Sequence, residues 1–148
     1  MYSSFKFLHL AAAVLWLGGM GFVLFALRPS LGYLQTPADR LALLGAVLGR
    51  FFKLVWVSIG VLLVSGVYML GHAGAQASPL GWHLMAGIGT LMFLVFGHIY
   101  FALYRPMMRA IAASDWPQGA RRAQLIAKLV LLNFVLGWLA VAAVRWLV

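Results

Sequence analysis

The sequence predicts an all-α integral membrane protein, a four-helix bundle with both termini on the periplasmic or outer side. Three observations predict it. Hydrophobic residues make up 65% of the 148-residue chain and charged residues only 9%, against ~25% charged in soluble domains. The apolar residues gather into four long runs. Lys and Arg collect in the first and third links between those runs. A water-soluble core of this length could not hide so much apolar surface.

The runs are Phe5 to Leu27, Leu54 to Gly71, Gly81 to Tyr104 and Ala123 to Leu147. Each has about the ~20 residues that a helix rising ~1.5 Å per residue needs to cross a hydrocarbon core. The links are short, so one membrane domain over residues 1–148 is expected. The first run follows Lys6 as a signal peptide's would, but a signal h-region is only ~7–15 residues long. This one continues through Trp16-Leu17-Gly18-Gly19 to Arg28-Pro29 and reads as a retained helix. Ahead of the second run, Ala38 to Leu70 is apolar-periodic without proline. As one helix it would be ~50 Å long, more than a bilayer is thick. Either that helix projects beyond the membrane, or residues 38–53 hold an amphipathic lead-in, with Leu41, Leu44 and Leu48 between Arg40 and Arg50. The third link, Arg105 to Gly119, holds Pro106, Asp115 and Pro117 and reads as a short basic loop with a helical extension.

Charge placement gives the orientation. Arg28, Arg40, Arg50 and Lys53 lie in or beside the first link, and Arg105, Arg109, Arg121 and Arg122 in or beside the third. The second link, His72 to Leu80, has no Lys or Arg. By the positive-inside rule the first and third links are cytoplasmic. The formal charge of +9 then serves topology and attraction to anionic headgroups, and no nucleic-acid partner is expected. Cysteine is absent, so any metal site must use His, Met or carboxylate.

Ionisable side chains at membrane depth are costly, which makes each histidine a functional candidate. His9 lies about one turn inside the outer end of the first helix, His83 at a similar depth in the third, and His72 closes the second on the same side. Neutral imidazoles from neighbouring helices ligate Cu, Zn or haem iron, and Met69 and Met85 at that level add soft thioether donors suited to Cu(I). The plainer alternative makes His9 and His83 interfacial residues bonded to backbone or water and His72 a loop residue. His98 follows His83 by 15 residues, a rise of ~22 Å with ~60° of rotation. It would ligate a second, inner haem as in two-haem cytochromes b, or hydrogen-bond or relay a proton. No other histidine lies in the inner half; Met20 is at the right depth but suits packing. Lys128 either snorkels or pairs with an acidic ligand. Only two carboxylates, Asp39 and Asp115, are present. With no nucleophile elbow, zinc-protease helix or phosphate loop, the residues point away from hydrolysis by paired acids or a Ser triad and towards redox chemistry or metal handling.

Phe7-Leu8-His9-Leu10 followed by Leu15-Trp16-Leu17-Gly18-Gly19 resembles the first helix of the CopD/PcoD copper-resistance membrane proteins. Gly49-Arg50-Phe51-Phe52 leading to Ser65-Gly66-Val67-Tyr68 resembles their second segment, His83 to Arg109 their third, and Leu129 to Gly137 with Asn133 their last. The likeness covers nearly the whole chain, as a compact version equivalent to the terminal module of the longer proteins. It implies copper uptake or export across the bacterial inner (plasma) membrane, with a periplasmic copper protein as partner. The chain is more distantly similar to the HemJ protoporphyrinogen oxidases, whose first-helix histidine, here His9, is implicated in haem binding; Leu10 stands where those enzymes carry arginine.

The expectation is therefore a His-ligated centre near the periplasmic face, holding copper or haem b. Its cofactor-binding candidates are His9, His83 and His98, and its metal candidates His9, His72 and His83. It would serve copper transport and homeostasis. The alternatives are a b-type haem redox protein exchanging electrons with quinone or a periplasmic acceptor, and a structural subunit of a larger membrane complex. The lipid bilayer is its surrounding partner, and a homodimer is compatible with the sequence.

Overall fold

The computed structural model describes residues 1–74 and 79–147. Residues 75–78, the middle of the second link, lie outside the described residues. Apart from short links, the described chain is helical, with four helices long and apolar enough to cross a membrane: α1 (Tyr2–Tyr33), α2 (Pro37–Ala73), α3 (Leu80–Ala112) and α4 (Trp116–Trp146). Their closest packing is pairwise, α1 on α2 and α3 on α4. Both pairs are antiparallel. Phe5 stacks on Tyr68 while Gly19 meets Phe51 on one side; on the other, Gly81 meets Ala143 while Arg122 reaches Ala102.

Lipid is as apolar as leucine, so what holds such helices together is close packing and interhelical hydrogen bonds. The four helices share one core, in which Met20, Leu48, Phe52, Val55, Ile99 and Met107 are fully buried. Glycines set the approach of the backbones. A Cβ at Gly137 would lie 2.6 Å from Leu17 Cδ1, and one at Gly19 would overlap the Phe51 ring. Beyond the Trp16 and Met92 layer, towards the α1 N-terminus, burial becomes pairwise: Ala12 and Ser65 on the first pair, Gly81, Ala140 and Ala143 on the second.

α2 is a single helix of 37 residues, ~55 Å long and so longer than the bilayer. Thr36 caps it by accepting from the Asp39 N–H at 3.1 Å, and Pro37 at the first turn has no N–H to waste. Leu41, Leu44 and Leu48 are buried in the common core. They pack against a basic-end cover made by the extension of α3 and the start of α4. Gly45 faces Met108 and Ile111, and Gly119 faces Leu41. Asp115 caps α4 by accepting from Gln118 N–H at 3.2 Å. Both carboxylates of the chain are thus engaged at helix starts at one end of the bundle, Asp115 as the cap of α4 and Asp39 accepting from the Thr36 hydroxyl at 2.6 Å.

α1 and α3 share a device. Each changes to a π-helical turn, Val23–Leu27 in α1 and Ile99–Tyr104 in α3, just before an Arg-Pro pair. Proline offers no N–H to the carbonyl four residues back and its ring crowds that carbonyl, so the ladder widens. The backbone N–H of Arg28 bonds Val23 O and that of Arg105 bonds Tyr100 O, each five residues back. The Ala102 carbonyl, stranded by Pro106, is met instead by Arg122 Nη1 at 3.2 Å. Arg28 Nη1 makes the corresponding tie from α1 to Ala123 O at 3.1 Å. Replacing Arg122 with Gln should cost about 1–2 kcal/mol in unfolding from detergent. A Pro106→Ala background, which restores an N–H to the stranded carbonyl, should shrink that loss; an equal loss in both backgrounds would show that the Arg122 contact does not serve the proline.

Candidate metal site

His9 sits on the α1 face turned to α2, half-buried, with its Nδ1 2.8 Å from Ser65 Oγ. Ser65 is 1% exposed, and its hydroxyl lies 2.6 Å from Val61 O, one turn back in its own helix. A hydroxyl has a single proton, and here the short bond to the Val61 carbonyl holds it. Ser65 Oγ can then only accept from the imidazole. That direction is compatible with the His9 tautomer protonated on Nδ1, which leaves Nε2 a lone pair; the ring also has a backbone hydrogen bond with Leu62. Gly66 makes room for the ring, since a Cβ there would lie 3.6 Å from His9 Cε1. An imidazole oriented through Nδ1–H, with Nε2 unprotonated, is the arrangement in which histidine ligates a metal.

The same interface continues towards the α1 N-terminus as a column of rings. Phe5 stacks on Tyr68 with centroids 4.0 Å apart, Tyr68 on His72 at 5.9 Å, and Tyr2 lies 5.2 Å from His72. Lys6 Nζ stands 4.6 Å from the Tyr2 ring centre. His72 is exposed, two turns beyond Ser65, or ~10 Å along α2. The fold therefore places His9 and His72 on one interface at different depths.

His83 is exposed on α3 and makes contacts of its own. Its depth follows from the α2–α3 register, in which Gly49 meets Tyr104 and Gly45 meets Met108. Extended along two antiparallel helices, that register sets His83 level with residue 70 of α2, ~7 Å beyond Ser65. His83 is thus nearer in depth to His72 and to the half-buried Met69 and Met85 than to His9. Among the described residues no three His, Cys, Asp or Glu side chains gather around one point. With both aspartates at the opposite end, the ligand candidates of this end are imidazole and thioether, a set that suits a soft ion such as Cu(I).

His98 is exposed at the end of the α-helical stretch of α3, directly before the π turn. It belongs to the half of the bundle away from His9. Trp16 is core, stacked on Phe93 at 5.7 Å. Asn133 is buried and donates from Nδ2 to Met92 O at 3.1 Å, tying α4 to α3. Lys128 is exposed. Ser65 and the rings of Tyr2 and Tyr68 are the contributors that residue-type reasoning passes over. Ser65 carries no ligand signal of its own, and only the pairing of α1 with α2 brings it to His9.

Four helices long and apolar enough to cross a membrane, with most Lys and Arg at one end of the bundle and His9, His72 and His83 towards the other, define a multi-pass membrane protein. The copper resistance protein D family model matches residues 45–147, and the chain belongs to that family. His72, His83 and His98 fall within the matched stretch and His9 precedes it. No curated protein and no solved structure matches the chain.

Proposed function

We propose that the protein carries copper across the inner membrane or regulates its passage, through a His-ligated site near the periplasmic face whose deepest ligand is His9 Nε2. The observation that supports this reading is the His9–Ser65–Val61 relay, at 2.8 and 2.6 Å, which holds the imidazole by Nδ1 inside an apolar interface, as a ligating histidine is held by an outer partner. Copper-resistance family membership supplies the cargo. His72 and His83, with Met69 and Met85, stand closer to the end of the bundle and would receive the ion before His9. Copper content of the purified protein tests the reading, together with a visible spectrum. One Cu(I) bound by a colourless protein is the expected result. A Soret band with reducible α and β bands would replace it with a haem b centre.

The sidedness rests on charge. All Lys and Arg except Lys6 and Arg145 lie at the end of the bundle away from His9, which the positive-inside rule assigns to the cytoplasm. A cysteine at Ser114, at the exposed turn between α3 and α4, should stay unlabelled by an impermeant thiol reagent added to intact cells. One at Ala75, outside the described residues, should label. The reverse pattern would put His9 on the cytoplasmic side.

A further inference from the structure

The basic end of the bundle contains two kinds of cation. Arg28, Arg40 and Arg122 are engaged by backbone carbonyls, of Ala123, Leu34 and Ala102, at 2.8 to 3.2 Å. Arg121 and Lys128 are not. Among the described residues neither has a hydrogen-bond or ion-pair partner, and both acidic side chains are engaged elsewhere, Asp39 by the Thr36 hydroxyl and Asp115 by the Gln118 N–H. These two cations line one groove of about 270 Å³ on the outward face of α4, together with Ala120, Gln124 and Leu125. The groove opens to lipid. Leu125, Leu131 and Leu132, around and beyond it, are 40 to 46% exposed. Lys128 therefore stands in a lipid-facing wall, two turns deeper along α4 than Arg121, with Gln124 between them.

We infer that this groove binds the phosphodiester headgroup of an anionic phospholipid, with Arg121, Gln124 and Lys128 as its donors. A cation at hydrocarbon depth is costly without a counter-charge, and the chain provides none. Two cations two turns apart, ~10 Å in rise, have flexible arms that converge on an anion seated between them, and an amide donor lies at that midpoint. The ligand must be amphiphilic, because the wall continuing from the groove is leucine. A phospholipid phosphate satisfies both demands: its charge meets Arg121 and Lys128, and its acyl chains lie along Leu125, Leu131 and Leu132. Basic recesses at the cytoplasmic level of membrane helices bind anionic headgroups on this principle.

The test is native mass spectrometry of the intact, detergent-purified protein titrated with phosphatidylglycerol or with phosphatidylcholine. Wild type should retain one phosphatidylglycerol at concentrations where phosphatidylcholine is lost. The double variant Arg121→Gln/Lys128→Gln should bind phosphatidylglycerol about tenfold more weakly, while Arg121→Lys/Lys128→Arg keeps it and shows that the fold is intact. Arg109→Gln, which removes an exposed cation at the same end but outside the groove, should change binding less than about twofold. Equal retention of the two lipids by wild type would overturn the proposal, as would wild-type binding by the double Gln variant. So would a loss with Arg109→Gln as large as that of the double variant, which would mean that the whole basic face attracts lipid without a site. Displacement of the lipid by millimolar inorganic phosphate would mark the groove as a soluble-anion site and overturn it as well.

Discussion

His9→Ala should remove the bound copper from the purified protein, lowering affinity by more than about a hundredfold while the chain still inserts and folds. Ser65→Ala, with His9 intact, should weaken binding by about 10–100-fold, the usual cost of losing the group that orients a ligating histidine. The ordering follows from the chemistry. Without Ser65 Oγ at 2.8 Å, the imidazole keeps its nitrogen lone pair but loses the acceptor that places the proton on Nδ1, so the ligating nitrogen is present only part of the time. His98→Ala should leave copper binding unchanged, because His98 lies in the other half of the bundle. Copper titration against a chromogenic Cu(I) chelator reads all three. Full affinity in His9→Ala would remove His9 from the site. A Ser65→Ala variant indistinguishable from wild type would show that the relay does not prepare the ligand.

Gly81→Ala should cost about 1–3 kcal/mol, the range for overpacking a close-packed interior. The added methyl would sit 2.5 Å from Ala143 O and 3.3 Å from Leu147 O. Both are backbone atoms and no rotamer change can clear them. The Gly81 N–H also bonds Leu147 O at 3.1 Å, so the start of α3 must lift off the end of α4 and lose that bond too. Gly87 is the control: a methyl added there would find no neighbour within 4 Å, and Gly87→Ala should be neutral or gain up to about 1 kcal/mol from helix propensity. Thermal unfolding in one detergent compares the two. Equal stabilities of the Gly81 and Gly87 variants would show that the α3–α4 contact is looser than these distances.

The sequence by itself determined the fold class, because four apolar runs each long enough to span a bilayer permit hardly any structure other than helices across it. It also carried the resemblance to copper-resistance membrane proteins, in short segments around Trp16, Gly66, His83 and Asn133, the last three within the residues 45–147 that the family model matches. His9 stood out because an imidazole in an apolar run is conspicuous. What the tertiary structure decided is what each polar group meets. Whether Ala38 to Leu70 breaks is settled by the cover that Met108, Ile111 and Gly119 lay over Leu41 and Gly45, a contact between residues more than sixty positions apart. The depths of the histidines depend on interhelical register, which hydropathy cannot fix because sliding one apolar helix past another in lipid leaves the pattern unchanged. Packing at Gly19, Gly49 and Gly137 sets that register, and it places His83 beside the level of His72 with His9 deeper. The partner of His9 is likewise a tertiary fact: Ser65 looks like any small helix residue until α1 and α2 pair, when its buried hydroxyl meets the imidazole Nδ1 at 2.8 Å.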